Sequence, residues 1–276
     1  MRWKNVPQVE QALTDMYTVF CALPIEGEEF FLQLLHDYMW QRNNTSFYSF
    51  RIVKEFLQKA IQYGVDVKNS SILELGAGRP LGAAIFWNFI GAKKYTSIDK
   101  FTQVNLDDLS LKRFQSLLDL NLFHPNDFSM DSLIKKKGKA YILNENRVRF
   151  IQSSFEDFSL KDESFNFVYS GAVLEHVVNI QQIVDKMYQV MSDDGTAIHL
   201  IDLREHHTHL KTVPDKNTSI DFLTYSTEEW NEMHPPGSIH YINRLRASDF
   251  RKCFTEAGFK IVDFLCTQKM DIDDTI

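Results

Sequence analysis

The sequence predicts an α/β fold: a doubly wound, mostly parallel sheet with an N-terminal helical cap. Three observations predict it. Apolar residues recur at helical spacing, with glycine and proline scarce, over residues 1 to about 70. A short apolar run ending in glycines, Ser71 to Gly78, then breaks that register and has the character of a buried parallel strand. From there to residue 203, strand-like and helix-like segments alternate, and right-handed crossovers make of that order a sheet covered on both faces.

In chain order, VEQALTDMYTVFCAL, EEFFLQLLHDYMW and FYSFRIVKEFLQKAIQYG are the cap helices, and Gly64 suits the end of the third. SILEL is the first strand, LGAAIFWNFIGA the helix after it, and KKYTSID a second strand ending in an acid. Residues 101–146 form an insertion longer than an ordinary link, with LSLKRFQSLLDLNLF helical and the lysines of IKKKGK a solvated loop. VRFIQSS and SFNFVYSGAV are strands, NIQQIVDKMYQVMSDDG an amphipathic helix capped by Gly195, and TAIHLIDL a fifth strand. A polar substrate or lid segment fills about 203–246, with Pro214, Pro235 and Pro236. ASDFRKCFTEAGFK is then a helix ending at Gly258, and IVDFLCTQ a late strand. The domains are therefore a cap at 1–70 and an α/β domain at 71–276.

Composition narrows the function. The chain has 276 residues, 44% of them hydrophobic, and a net charge of −7, so no global basic field attracts phosphate backbones, and a small-molecule partner is favoured over nucleic acid. Cys21, Cys253 and Cys266 are widely spaced in apolar surroundings, which predicts reduced, buried thiols rather than a disulfide framework or a metal knuckle. No apolar run is long enough for a membrane span, and MRWKNVPQVEQ lacks the apolar core of a signal peptide. A cytoplasmic location is expected, with the sequons at Asn44 and Asn217 incidental. The oligomeric state is not legible.

In an open parallel sheet the ligand lies beyond the carboxyl ends of the strands, so the turn after the first strand is the place to look. Here it is Glu74-Leu75-Gly76-Ala77-Gly78-Arg79-Pro80-Leu81-Gly82. As a dinucleotide fingerprint it fails at Leu81, and Pro80 removes an amide that a pyrophosphate could use. As a P-loop it lacks Gly-Lys-Ser/Thr. What remains is an acid two residues before Gly-x-Gly at a strand tip, a turn where glycines let a ligand approach the backbone and a carboxylate can meet a cation. Pro80 suits the first turn of the following helix.

This turn resembles motif I of the class I S-adenosylmethionine-dependent methyltransferases, and four further stretches keep that family's order over about residues 70–203. Asp99, closing YTSID, resembles the acid that bonds the ribose hydroxyls. Ser154-Phe155-Glu156-Asp157 resembles the adenine-side motif, with Asp157 accepting from the exocyclic amine and Phe155 flanking the ring. FNFVYSGAVLEHV, with Ser170 at its tip, resembles the fourth-strand motif, and MSDDGTAIHLID the turn into the fifth strand. The resemblance implies a Rossmann-like methyltransferase using S-adenosyl-L-methionine, held by Glu74, Gly76, Ala77, Gly78, Asp99, Phe155, Glu156, Asp157 and Ser170. It also implies two closing strands. IVDFLCTQ would supply one, and KMDIDDTI is too short and acidic to supply the other.

The acceptor side is read from IHLIDLREHHTHL, Ile198 to Leu210. Period-two alternation assigns His199 to the sheet interior. His206, His207 and His209 have three readings: a solvated loop, bases or hydrogen-bonding groups lining the substrate, or, with Asp202, donors to a divalent ion. The spacing is no recognised ligand signature, so no metal is assigned and the second reading is carried forward. His206, His207 and Asp202 are then the catalytic candidates, and His176, Arg204, His209, Arg244 and Arg246 the substrate-binding ones. The aromatics Tyr38, Trp40, Tyr48 and Phe50 belong either to the core or to a cover over the ligand, and Pro235-Pro236-Gly237 to a second lid. The implied activity is methyl transfer to a hydroxyl or amine of a small molecule. A nucleic-acid or protein methyltransferase and a non-catalytic scaffold are the alternatives.

Overall fold

Period two in a strand sends successive side chains to opposite faces, and that alternation partitions this core. The computed structural model describes residues 46–78, 82–101, 111, 129–138, 140–159, 163–204, 221–238 and 241–266. In chain order these hold helix α1 (Ser46–Gln62), strand β1 (Ser71–Leu75), helix α2 (Gly82–Ile90), and strands β2 (Lys94–Asp99), β3 (Ile134–Lys137), β4 (Ala140–Leu143), β5 (Val148–Gln152) and β6 (Phe165–Gly171). Helix α3 (Ile180–Val190), strand β7 (Met191–Leu200) and helices α4 (Thr227–Met233) and α5 (Ala247–Glu256) follow.

Five strands form one parallel sheet in the order β5-β2-β1-β6-β7. The order reverses at β1, so the crevice between the carboxyl ends of β1 and β6 is the switch point. Ile72, Tyr95, Phe167 and Tyr169 face one side, where α1 contributes Val53, Phe56, Leu57 and Ala60 and α2 contributes Ile85, Phe86 and Trp87. Leu73, Leu75, Ile98 and Val168 face the other, against Ile183, Val184 and Met187 of α3 and Phe250 of α5. Residues 53, 56, 57 and 60 are spaced to make one apolar stripe, so α1 lies on the sheet as a covering helix. No helix of the described residues is long and apolar enough to cross a membrane.

Four expectations need correcting. The lysine stretch is a strand: β3 pairs antiparallel with β4, Lys136 opposite Tyr141 with its ammonium 5.2 Å from that ring. Ile134 supplies the buried anchor and the three lysines remain exposed, so period two is hidden in the sequence. The helix expected to reach Gly195 ends at Val190, because Met191 turns extended and begins pairing with Phe165. Four residues, 192–195, then stand against the single Asn166 before Thr196 meets Phe167. Gly195 belongs to that bulge, where a Cβ would stand 3.0 Å from the Phe165 carbonyl oxygen.

The late strand does not form among the described residues: 261–266 join no ladder, and Val262 and Leu265 are exposed. Its side chains pair elsewhere, Asp263 accepting the Tyr63 hydroxyl and Phe264 stacking under Arg251 at 4.3 Å. Cys266 is exposed rather than buried, and Cys253 is partly exposed. Within the polar lid segment lies α4, opened by a reciprocal cap between Ser226 and Glu229. Its Trp230 packs with Phe222 and Ile242 and donates its indole N–H to the Ile242 carbonyl at 2.8 Å.

Candidate active site

Glu74 is the last residue of β1 to face the α1 and α2 side, and it is 6% exposed. The register sets Tyr169 of β6 beside it and Tyr95 of β2 opposite Ile72, one pleat earlier on the same face. The Tyr95 hydroxyl donates to Glu74 Oε2. The Tyr169 hydroxyl accepts the Trp87 indole N–H at 2.9 Å, and the same hydroxyl favours the charged form of the Glu74 carboxylate beside it. Burial pushes the Glu74 carboxyl up to about 7, against the Tyr169 and Tyr95 hydroxyls, which pull it down; the nearby Asp99 charge pushes it up. Burial, then the Glu74 charge, pushes both phenols upward, so they remain donors.

A pocket opens above this carboxylate, lined by Ser49 and Ile52 of α1, by Glu74, Gly76 and Ala77, and by Ala83 and Gly171. Gly76 has φ 71°, and a Cβ there would overlap the Val173 side chain from the loop after β6. Only glycine meets both conditions. Its N–H donates to the Ile98 carbonyl at 2.8 Å. The Gly78 N–H donates to Asp99 Oδ2 at 2.9 Å, and Phe101 N–H to Asp99 Oδ1 at 2.8 Å. Asp99 therefore braces the glycine turn from the end of β2. Arg79 and Pro80 lie outside the described residues.

The turn after β5 carries the next candidates. Ser154 Oγ donates to Asp157 Oδ2 at 2.5 Å, and Asp157 is exposed while Glu156 is partly buried. Phe155 is buried with Leu75 and Ile98, supporting the turn from beneath. Lys186 reaches from α3 and donates to the carbonyls of Phe155, Glu156 and Phe158. Ser170 pairs with Leu75 and so faces away from Glu74, with its hydroxyl 2.8 Å from His199 Nδ1. Its side chain is thus turned from the pocket that the resemblance assigns it to. His199 is half-buried on the α3 and α5 side with its Nε2 enclosed, and desolvation lowers its imidazole to about 3, so it stays neutral.

The rim is built from three segments. The 3₁₀ turn Leu174–His176 follows β6, and residues 241–246 latch onto it: Asn243 donates its N–H to the Glu175 carbonyl at 2.8 Å and its side-chain amide to Leu174 and Val177. His176 Nδ1 donates to the Tyr241 carbonyl at 2.7 Å. A carbonyl can only accept, so the neutral ring carries its proton on Nδ1 and Nε2 is the basic atom. Glu175 Oε1 accepts the Asp202 N–H at 3.2 Å, bringing the end of β7 to the same place.

The arginines there have protein partners. Arg204 clamps Asp202 with Nε at 2.9 Å and Nη2 at 2.7 Å. Arg246 donates to the Leu203 carbonyl at 2.8 Å, joining the two predicted stretches. Arg244 donates to the Tyr225 carbonyl at 2.6 Å and to Thr227 Oγ1 at 3.1 Å, which ties it to the start of α4. His206, His207, His209, Tyr38 and Trp40 lie outside the described residues. Among the described residues, no group of three His, Cys, Asp or Glu side chains is arranged to hold a metal ion.

Sequence reasoning missed Tyr95, Tyr169, Trp87 and Lys186. A signal existed for the tyrosines, since a phenol in an otherwise apolar buried strand needs a polar partner. Which partner depended on register.

A family model described as a methyltransferase domain matches residues 45–263. A search of the curated proteins finds no match. Among solved structures, the chain resembles one provisionally described as an S-adenosylmethionine-dependent methyltransferase from Listeria monocytogenes, at 16% identity over 75% of this chain and 84% of that one, TM-score 0.44. A provisionally described methyltransferase from Bacillus halodurans matches at 20% identity over 75% and 70%, TM-score 0.42. Likenesses this distant carry no argument about substrate. The family match spans the whole parallel sheet and both segments that build the rim, and the chain belongs to the methyltransferase-domain family, with a class I, Rossmann-like fold.

Proposed function

We propose that this chain is an S-adenosylmethionine-dependent methyltransferase acting on a hydroxyl or amine of a small molecule. The observation that carries the reading is the convergence of Glu74, Gly76, Ala77 and Gly171 on one pocket at the switch point of the sheet. The donor set fits the cofactor: a buried carboxylate faces the pocket for a cationic amine, and the backbone of Gly76 and Ala77 lines the same pocket, where a small-residue turn allows close approach. Asp99 stands at the next strand end for the ribose hydroxyls, and Asp157 is exposed on the following turn for the adenine amine.

When bound, the cofactor supplies a methyl group already activated by its sulfonium charge. This chain's residues then align donor and acceptor and exclude water, a contribution that reaches about 7–11 kcal/mol in well-oriented reactions. His176, with Nε2 basic, and the histidines that follow Arg204 are the proton acceptors on the acceptor side. They matter where the acceptor is a hydroxyl, for which a placed base contributes about 10²–10⁴-fold. Asp202, clamped by Arg204, orients that rim, and the net charge of −7 favours a small neutral or cationic acceptor. A cytoplasmic location accords with this chemistry.

Calorimetric titration with S-adenosylhomocysteine tests the donor half of the reading, and absence of binding to folded protein sinks it. A methyl-transfer assay over a small-molecule panel tests the acceptor half. Turnover confined to a protein or nucleic acid would replace it.

A further inference from the structure

We propose that Tyr95 and Tyr169 are positioning residues for the donor's α-amine, holding the Glu74 carboxylate in one orientation at the floor of the pocket. The inference rests on the reading of Glu74 as the group that receives that amine. Generic motif I chemistry asks only for an acid there. In this chain the acid is buried, and a free carboxylate in such a place rotates or takes up a proton.

The geometry removes the first option and opposes the second. Tyr95 donates to Glu74 Oε2 from β2, and Tyr169, opposite Glu74 in the β1–β6 register, presents its hydroxyl to the same carboxylate and favours its charged form, so the side chain is flanked from both neighbouring strands. Trp87 of α2 donates to Tyr169 Oη at 2.9 Å, which directs the phenol's own proton away from the indole and toward Glu74. All three aromatic side chains are fully buried, and Tyr169 packs between Phe56 at 4.6 Å and Trp87 at 5.7 Å. The phenols therefore have no freedom to release the carboxylate.

Among the described residues, the titratable groups that meet Glu74 are Tyr95 and Asp99 from β2 and Tyr169 from β6, while α1 presents Ser49 and Ile52 and α2 presents Ala83. Among the described side chains of these elements, no cation meets it. The two hydroxyls oppose the desolvation that favours its acid form, and burial still holds the carboxyl up at about 7. The cationic amine completes the arrangement from the pocket side.

Tyr95→Phe and Tyr169→Phe keep the rings and remove only the hydroxyls. Each variant and the parent protein are titrated calorimetrically with S-adenosylhomocysteine and with its deamino analogue, which retains adenine, ribose and tail carboxylate. The expected result is a loss of about tenfold or more for S-adenosylhomocysteine in each variant, the order of one hydrogen bond to a charged group, with affinity for the analogue unchanged. Equal loss for both ligands would mean a merely structural role and overturns the proposal, as does unchanged affinity for both. If Tyr169→Phe does not fold, having stranded the Trp87 N–H, Tyr95→Phe decides alone. A parent protein that binds the two ligands equally well overturns the amine role of Glu74 itself, a failure distinct from that of the tyrosines.

Discussion

Asp99 Oδ2 accepts the Gly78 N–H at 2.9 Å, so the acid at the end of β2 holds the glycine turn at the end of β1. With Oδ1 it also accepts the Phe101 N–H. Both acceptors of one side chain thus serve amides, which an asparagine cannot do, since its amide nitrogen would face one of them. Asp99→Asn should lower stability by about 1–3 kcal/mol through one unsatisfied donor. It should also weaken S-adenosylhomocysteine binding. Urea denaturation and calorimetry check the two effects.

Gly76 combines a left-handed backbone with the close approach of Val173. Gly76→Ala should cost about 1–3 kcal/mol in backbone strain and a comparable amount in overpacking. Pairing it with Val173→Ala relieves only the second part. A double-mutant cycle by denaturation reads the difference, and full recovery in the double variant would refute the strain component.

Lys186 satisfies three carbonyls of the turn that carries Asp157. Lys186→Met keeps the apolar stem and removes the donors. The loss should exceed about 1 kcal/mol of stability, and affinity for S-adenosylhomocysteine should fall more than affinity for an analogue lacking the adenine amine. Parallel titrations separate these outcomes.

Two desolvated groups tilt stability with pH in opposite senses. His199 is held at about 3, below its ordinary 6.5, so the unfolded chain takes up a proton that the folded chain refuses, and stability is lost as pH falls through that window. Glu74 is held at about 7, above its ordinary 4.5, so stability is present below 4.5 and lost as pH rises through 7. His199→Phe should flatten the acid limb and Glu74→Gln the neutral limb. Urea midpoints across pH measure both slopes.

The resemblance carried by the glycine turn placed Glu74, Gly76 and Asp99 correctly at the strand ends, because close approach and charge leave a local trace. The position of Ser170 at a strand tip is legible, but which face its side chain takes depends on the pairing that sets it beside Leu75 and His199. The lysine hairpin was hidden because Ile134 alone supplies its buried side. Helix α4 had a readable start in Ser226-x-x-Glu229, masked by the surrounding polarity.

By itself, then, the sequence determined the strand and helix alternation, the parallel sheet, the donor turn and the place of His199 in the sheet. Each follows from spacing within a few residues. Only the tertiary structure decided that Tyr95, Tyr169 and Trp87 converge on Glu74, that Asn243 latches the rim to the turn after β6, and that Arg204, Arg244 and Arg246 bond to protein groups. Those outcomes depend on register between strands far apart in the chain, and no local pattern encodes the register, because it is set by how both faces of the sheet pack at once.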